Sequence, residues 1–567
     1  MEDNGAVKRA LERRRSNMLS VRQDWEPRWR QIQEVVAPIF GYFQECNRQG
    51  RRSWRALYND TPLYAVQVLS AGLQSGLTSP NQQWYHLADP DPKVDELQEV
   101  RRYCIDCEEI MNADMLACGV YDAYAETYNN LGPYGTGGFL ILEDDRRPFV
   151  CIPQETGEYC ISQDFRGVIN EFMRSLKMTP EQLVQRFGEK ACPGNVLRAF
   201  RGDEAVEFNV HHLIAPNDGR IPVKLAGDFE FLSCYWLDEG FDVLEVGGHN
   251  ELPFVGGRWY QVGRDVYGYG PGETAFGNAA QLQAMERDKT TARQLTVQPP
   301  MQVPTSMKDT FNMLPGSRVY YDPASASSAA PVQPVLNVQF DLNGAMQDIV
   351  VTEERIKRAF YTQLFMAILD RADQNPQKTA TEIQEMIAEK SSMIGPVLQR
   401  LDREILRPSI NRIYAIEARA GRLPEPPEVL VGRELSVQYT SPLMLALNTR
   451  RTASIEKYVG FIANVAQAKP EVLDLINIDK TMRSYANFID VPPDCIYSEE
   501  EVEMTRQTRA QAQEEAQKQA QMMELLKTAP EAMKKMGDTP IMRADGTASN
   551  LLADVGAGMA EGMGGGA

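Results

Sequence analysis

The spacing of apolar residues changes twice along this chain, and no other feature constrains its fold as strongly. Residues 8–36, 60–78 and about 92–129 repeat them every three or four positions, the period of an amphipathic helix. From 137 to 260 the period falls to two. The segments "GGFLILED", "RPFVCIP", "GEYCISQD", "GVINEFMRSLK", "AVEFNVHHLI", "FEFLSCYWL" and "FDVLEVGG" read as strands joined by Gly, Asp and Pro turns. One helix interrupts them, "TPEQLVQRFG", with Thr179 capping, Pro180 in the first turn and Gln182 closing a capping box. Strands gathered between helical blocks give an α+β fold, mainly helical, rather than an alternating parallel sheet.

Beyond the strands, "GPGETAFGNAAQ" is a tight turn that launches a helix over 273–294, with small residues Ala279, Ala280, Ala284 and Thr291. Residues 295–341 are punctuated by proline and serine. A second amphipathic helix then runs to about 369, with Met346, Ile349, Val350, Ile356, Phe360 and Leu364 on one side. Two helices of similar length flank a compact insert. The stretch "DRADQNPQKTATEIQEM" stops the helical pattern: Pro376 forbids continuation, and Thr379 with Glu382 announces a fresh start. Residues 381–420 are again helical but contain Pro396 and Pro408, which predict three rods. Residues 429–495 are mixed and helical. A polar helix capped by Ser498 and Glu501 follows, its thin stripe being Ala512, Ala516, Ala520 and Met523. From 529 onward Gly, Ala and Met dominate, and the final "GAGMAEGMGGGA" is expected to be disordered.

Composition narrows the function. A chain of 567 residues suits several domains or one elongated subunit. Fifty-nine basic against 78 acidic residues, net charge −19, argue against a tight grip on nucleic acid but not against letting it slide past. The polar first residues are unlike a secretory signal, and no apolar run is long enough for a membrane span, so synthesis in the cytoplasm is expected. Nine scattered cysteines agree. Cys104 and Cys107 form one C-x-x-C, but with Val100, Met111 and Cys118 they fall on one helical face, and no second pair completes a zinc site. The acidic trio Glu143, Asp144 and Asp145 sits in an expected hairpin turn. His211 and His212 point to opposite faces of a strand. The basic run Lys8, Arg9, Arg13, Arg14 and Arg15 reads as a solvated helix face. Gly270, Gly272 and Ala275 match a dinucleotide fingerprint by letter, without the βαβ context it needs. No Gly-Lys pair exists, hence no P-loop. Catalytic, metal and cofactor sites are therefore not expected.

The segments "LYNDTPLYAVQVLSAGLQSGLTSPNQQWYHL", "YGYGPGETAFGNAAQLQAMERD", "TATEIQEM" and "YTSPLMLALNTRR", in that order, with the Gln/Ala/Met-rich end, resemble the portal, or head-to-tail connector, proteins of short-tailed (podoviral) bacteriophages. The resemblance covers nearly the whole chain. It implies a ring of identical subunits, usually a dodecamer, at one capsid vertex of the virion. Double-stranded DNA is packaged and ejected through its channel. Implied partners are further copies of the chain, that DNA, the terminase large subunit, major capsid and scaffolding proteins, and tail adaptor proteins, with no membrane. Residues 1–272 would form the wing, 273–294 and 342–366 the stem helices, 295–341 the clip and 367–378 the tunnel loop. Residues 379–430 would be a kinked wing helix, 431–528 the crown and 529–567 a flexible tail. In the tunnel loop, Arg371, Gln374, Asn375, Gln377 and Lys378 are the groups the resemblance sets against passing DNA, with Asp370 and Asp373 offsetting the two cations. Rival readings are another virion structural protein, a tail adaptor or internal ejection protein, and an enzyme built on Gly270 and Gly272.

Overall fold

The computed structural model describes residues 4–43, 57–302, 333–334, 341–369, 393–444, 455, 458–465, 476–488, 499–537, 540–542 and 548–550, less residues 96, 203–205, 224, 226, 241 and 442. They fall into two units, Met1–Asp490 and Val491–Ala567. Helix and sheet are both present, as the two periods require. After β1 (Tyr85–Ala88), the alternating block folds as two antiparallel sheets. The smaller has the order β3-β2-β9 from β2 (Thr136–Glu143), β3 (Phe149–Gln154) and β9 (Phe254–Arg258). The larger is a five-stranded meander of β4 (Tyr159–Gln163), β5 (Ile169–Met178), β6 (Phe208–Pro216), β7 (Phe231–Leu237) and β8 (Val243–His249).

Alternation sends the side chains of the larger sheet to two different covers. On one face Met173, Leu213, Cys234 and Trp236 meet Val7, Leu11 and Met18 of α1 (Asn4–Val35). Burying each large apolar side chain stabilises by roughly 1.5–3 kcal/mol. The basic run of α1 is not simply solvated: Arg14 pairs with Glu171 and Asp218, and Arg15 lies 4.0 Å from Asp238, tying the helix to this sheet. His211 and His212 do face opposite ways. His211 lies beside Ser175 and Trp236 on the α1 side, and His212 beside Tyr235 and Ser233 on the other.

The helices differ from expectation in informative places. Asp60 stands at the N-cap of α2 (Thr61–Leu77) without a side-chain cap bond, and the Thr61 N–H is taken instead by Asn59 Oδ1 at 2.9 Å. The single helix expected over 92–129 is three: α3 (Pro92–Asp95), α4 (Gln98–Ala117) and α5 (Val120–Tyr134). Gly119, at φ 75°, breaks the last two. The short helix α6 (Pro180–Phe187) has the capping box read from sequence, and α7 (Gly194–Arg201) packs beside it. The two helices flanking the insert are α8 (Pro271–Val297) and α9 (Leu342–Ala359). Of the insert, β10 (Met301–Gln302) pairs antiparallel with β11 (Gln333–Pro334); residues 303–332 and 335–340 lie outside the described residues. Tyr361, the one non-glycine described residue with positive φ, separates α9 from α10 (Thr362–Leu369), so the second helix is bent where a continuous one is expected.

Of the three rods expected over 381–420, residues 381–392 lie outside the described residues, and over 393–419 Pro408 does not break the helix. The helix α11 runs through this range, with α-helical turns either side of a π-helical segment, Asp402–Leu406. Pro408 follows directly, so the wider turn absorbs the missing N–H without a break. This segment is also where α11 docks. Gly257 of β9 leaves room for Ile405, whose Cδ1 would stand 2.6 Å from any Cβ added there. Arg258, 1% exposed, directs its backbone N–H, Nε and Nη2 to Glu404 at 2.9, 3.2 and 2.8 Å, while Nη1 reaches Gln163 at 2.7 Å. Farther along, Arg412 donates to the Ile141 carbonyl at 2.9 Å and to Glu251 at 2.9 Å. The strand β12 (Ser436–Tyr439) then returns to pair with β1, and α12 (Ile478–Phe488) is the last described helix of this unit.

The second unit contains α13 (Glu499–Gly537) and a hairpin of β13 (Pro540–Met542) with β14 (Ala548–Asn550). The helix passes the expected boundary at 529, and the segment behind it pairs as strands. Residues 551–567 lie outside the described residues.

Removing one partner of the Arg258–Glu404 pair strands a buried charge. Glu404→Ala is expected to lower stability by about 3–5 kcal/mol, read by chemical denaturation. Arg258→Met combined with Glu404→Leu is expected to recover most of that loss. Equal destabilisation by the single and double replacements would show that packing, not the charge pair, holds α11.

Candidate functional site

The helix pair α8 and α9 and the turn that launches it form the candidate site. Glycines make the launch possible. Gly135 ends α5 in the left-handed region at φ 72°, and an added Cβ would run into the backbone of Tyr269 and Gly270. From the other side, a Cβ on Gly270 would lie 2.6 Å from the Gly132 carbonyl oxygen, and one on Gly272 2.5 Å from that of Pro133. Two backbones thus cross in direct contact. Hydrogen bonds fix the crossing: Trp259 N–H to the Gly135 carbonyl at 2.9 Å, Gly268 N–H to Thr136 Oγ1 at 2.8 Å, and a mutual pair between Tyr260 and Tyr269 at 3.1 and 2.7 Å.

This geometry disposes of the dinucleotide reading. In that fold the glycines admit a pyrophosphate to a helix N-terminus. Here the space a Cβ would fill at Gly270 and Gly272 is occupied by Gly132, Pro133 and Gly135. Beside the turn, Arg28 donates to Glu273 at 2.7 Å and lies over the Phe276 ring at 4.0 Å, with Trp25 against Tyr269 at 4.8 Å. The α8 start is clamped by α1, and it presents an acidic residue where a phosphate would need donors.

The remaining sequence candidates resolve as structural. Burial pushes the Cys104 and Cys107 thiols up to about 12 and about 11, and both pack with Val100, Met111 and Cys118 in the apolar core. Glu143 pairs with Arg419 at 2.7 Å, and Asp144 accepts from the Arg146 N–H at 3.2 Å, the local bond of a turn. His212 is held well below the ordinary histidine range by burial and by Arg174 beside it.

Along α8, the buried residues Pro271, Gly272, Ala275, Ala279 and Leu282 all lie before residue 283. The small-residue face therefore serves the body first, and Thr291 is exposed. On α9, Ile349 and Ile356 are buried, as are Phe360 and Leu364 beyond it. Met346 and Val350, expected on the same side, are instead 52% and 56% exposed, with Leu342 at 46%. These three stand four residues apart, so they form one stripe along the helix. The far half of α8 and the near half of α9 thus run side by side with little else among the described residues covering them. At the other end, α10 is pinned: Phe365 fills the space over Gly72 of α2. Arg371, Gln374, Asn375, Gln377 and Lys378 lie outside the described residues, which stop at Leu369 and resume at Met393.

Comparison with known proteins bears on all of this. The sequence profile described as "Bacteriophage head to tail connecting protein" matches residues 8–497. The "Probable portal protein" of Bordetella phage BPP-1 is 31% identical over 540 residues, covering 94% of this chain and 95% of its own. The "Portal protein" of Salmonella phage epsilon15 is 31% identical over 522 residues, covering 90% and 93%. Among solved structures, a chain from the neck of an empty gene transfer agent particle covers 70% of this chain and 86% of its own. It aligns at TM-score 0.33 and 11% identity. A chain from the native gene transfer agent virion covers 70% and 85%, at TM-score 0.30 and 10% identity.

Adding a methyl group at the crossing tests its role. Gly135→Ala forces an L side chain into the left-handed region and into the Gly270 backbone, and is expected to cost more than about 3 kcal/mol. Gly119→Ala, also in the left-handed region at φ 75° but with its nearest atom 4.0 Å from the added Cβ, serves as control, and should cost only about 1–2 kcal/mol. Equal losses in thermal denaturation would reduce the crossing to ordinary backbone strain.

Proposed function

The chain belongs to the bacteriophage head-to-tail connecting protein family and is a portal protein, and from that premise we propose how its elements serve the role. Copies of the chain close into a ring of about twelve subunits, set at one vertex of the capsid. Double-stranded DNA enters and leaves through the axial channel. The helices α8 and α9 are the stem, residues 295–341 the clip, and the segment from Asp370 to Lys378 the loop nearest the DNA. The terminase large subunit, capsid and scaffolding proteins, and tail adaptors are the partners. The observation that carries the ring is the Leu342, Met346 and Val350 stripe. It is apolar, regularly spaced and exposed in the lone subunit, so a neighbouring copy is what can cover it.

The channel's chemistry is passive. Every phosphate neutralised adds to affinity, and a dozen subunits multiply it, so firm contacts would stall the strand. A subunit with net charge −19 keeps the duplex centred, and Arg371 and Lys378 touch phosphates only transiently. Force comes from a separate motor. No helix among the described residues is long and apolar enough to cross a membrane.

Two experiments test these assignments. Met346→Glu with Val350→Glu is expected to leave a folded protein, by circular dichroism, that sediments as monomer or small oligomer instead of a ring. Rings of unchanged size would remove the stripe from the interface. Shortening residues 370–378 is expected to leave rings intact but to reduce DNA protected inside assembled heads. A full, stably retained genome with the shortened loop would make that segment a mere connector.

A further inference from the structure

The second face of the larger sheet is covered at its two ends and open between. Phe172 and Ile214 join one core cluster with Tyr159 and Phe254. Val210, Leu237 and Leu244 join another beneath α6 and α7. Between them a cleft of about 970 Å³ lies over a polar row crossing the sheet in register: Tyr159, Arg174, His212, Tyr235 and Glu245.

Arg174 lines the floor of this cleft and is only 5% exposed. Its Nε donates to His212 Nδ1 at 3.3 Å. That bond fixes the histidine's tautomer, because Nε2–H then donates to Ser233 Oγ at 3.0 Å while the ring stacks on Tyr235 at 3.8 Å. Among the described residues, the terminal nitrogens of Arg174 have neither a hydrogen bond nor an ion pair. The other buried guanidinium groups among the described residues are matched to a carboxylate: Arg258 to Glu404 at 2.8 Å, Arg412 to Glu251 at 2.9 Å. A charge taken out of water without such a partner is costly, so the fork facing the cleft is an incomplete pair.

We propose that the cleft binds an organic carboxylate with an apolar body, both oxygens held by the terminal nitrogens of Arg174. The planar fork matches a carboxylate edge to edge. Leu142, Ile152, Met178, Phe187 and Phe229 supply apolar wall for the rest of the ligand. The remaining cations are already engaged, Arg186 with Glu245 at 3.2 Å and Arg419 with Glu143 at 2.7 Å. Asp144 and Asp145 also line the cleft, so a phosphate dianion or a nucleic acid meets repulsion that a single carboxylate meets less. The same chemistry is offered by a free small acid and by a glutamate among apolar residues in a protein segment.

The test uses the full chain and calorimetric titration with 3-phenylpropionate, 3-phenylpropanamide and inorganic phosphate. Saturable binding of the acid is expected, with the amide and phosphate weaker by about tenfold or more. Arg174→Gln should abolish the preference for acid over amide. Gly247→Leu gives an independent variant: Gly247 lines the cleft, and nothing lies within 4 Å of where its Cβ would stand, so the side chain fills the cleft without displacing the sheet. It should weaken binding by a similar factor with an unchanged melting temperature, and it decides the matter if Arg174→Gln does not fold. An acetylated, amidated Leu-Glu-Leu-Phe peptide separates the sources. Displacement of 3-phenylpropionate by the peptide identifies a protein segment, and failure to displace it identifies a small acid. Absence of binding to the natural sequence, equal binding to both variants, or phosphate binding as tight as the acid would overturn the proposal.

Discussion

Where the strand block hands over to α8, two stretches of backbone cross with no side chain between them, and the placement of the helix pair depends on that contact. Segment 131–135 and segment 268–272 touch through Gly135, Gly268, Gly270 and Gly272. Backbone groups at this distance must find each other as partners or remain unsatisfied. Here they do so through Trp259, Thr136 and the Tyr260–Tyr269 pair. The crossing fixes the direction of α8 with the precision of a hydrogen-bonded ladder rather than of side-chain packing. A helix that leaves the body after Leu282 needs that, since an angular error at its base grows along its length.

The second anchor works by charge. Helix α11 meets the smaller sheet through a π-helical turn that places Ile405 over Gly257 and Glu404 against Arg258. The wider turn has two effects at once. It lets a proline follow without breaking the helix, and it shifts the face that presents Glu404. Arg258 in turn reaches Gln163 and the Gly167 carbonyl, so one guanidinium joins α11, the smaller sheet and the β4–β5 turn of the larger one. A buried pair of this kind adds little net stability, but it specifies which surfaces meet.

Much of this was legible in the sequence, for reasons that differ by element. The change of period marked the strand block because alternation follows directly from strand geometry, and β5 and the capping box of α6 emerged as read. Breaks set by a single backbone angle were not legible. Gly119 inside an apparently continuous helix, and Tyr361 at a position a helix former occupies comfortably, carry no pattern of their own. Pro408 was overread, because sequence shows the missing N–H but not the π turn that accommodates it. The glycines of "YGYGPGE" were visible as a motif, yet their partner, Gly135, lies more than a hundred residues earlier. Only the fold brings the two together. The same limit hid Arg174, an ordinary arginine in an alternating strand until its neighbours across the sheet are known.

The exposed stripe of α9 follows from the same division of labour. A helix pair isolated in water is marginal, since neither helix can bury a full face against the other. The chain spends its buried apolar residues at the base, where Ile349, Ile356 and Leu282 join the body, and leaves Leu342, Met346 and Val350 uncovered farther out. In a lone subunit that arrangement loses stability and invites nonspecific association. In a closed ring every copy offers the same stripe to the same neighbouring surface, so no stripe remains unpaired and the assembly stops growing. On the proposed ring, the subunit is completed by its neighbours: the backbone crossing sets the angle at which the stripe is presented, and closure requires that angle to be the same in every copy.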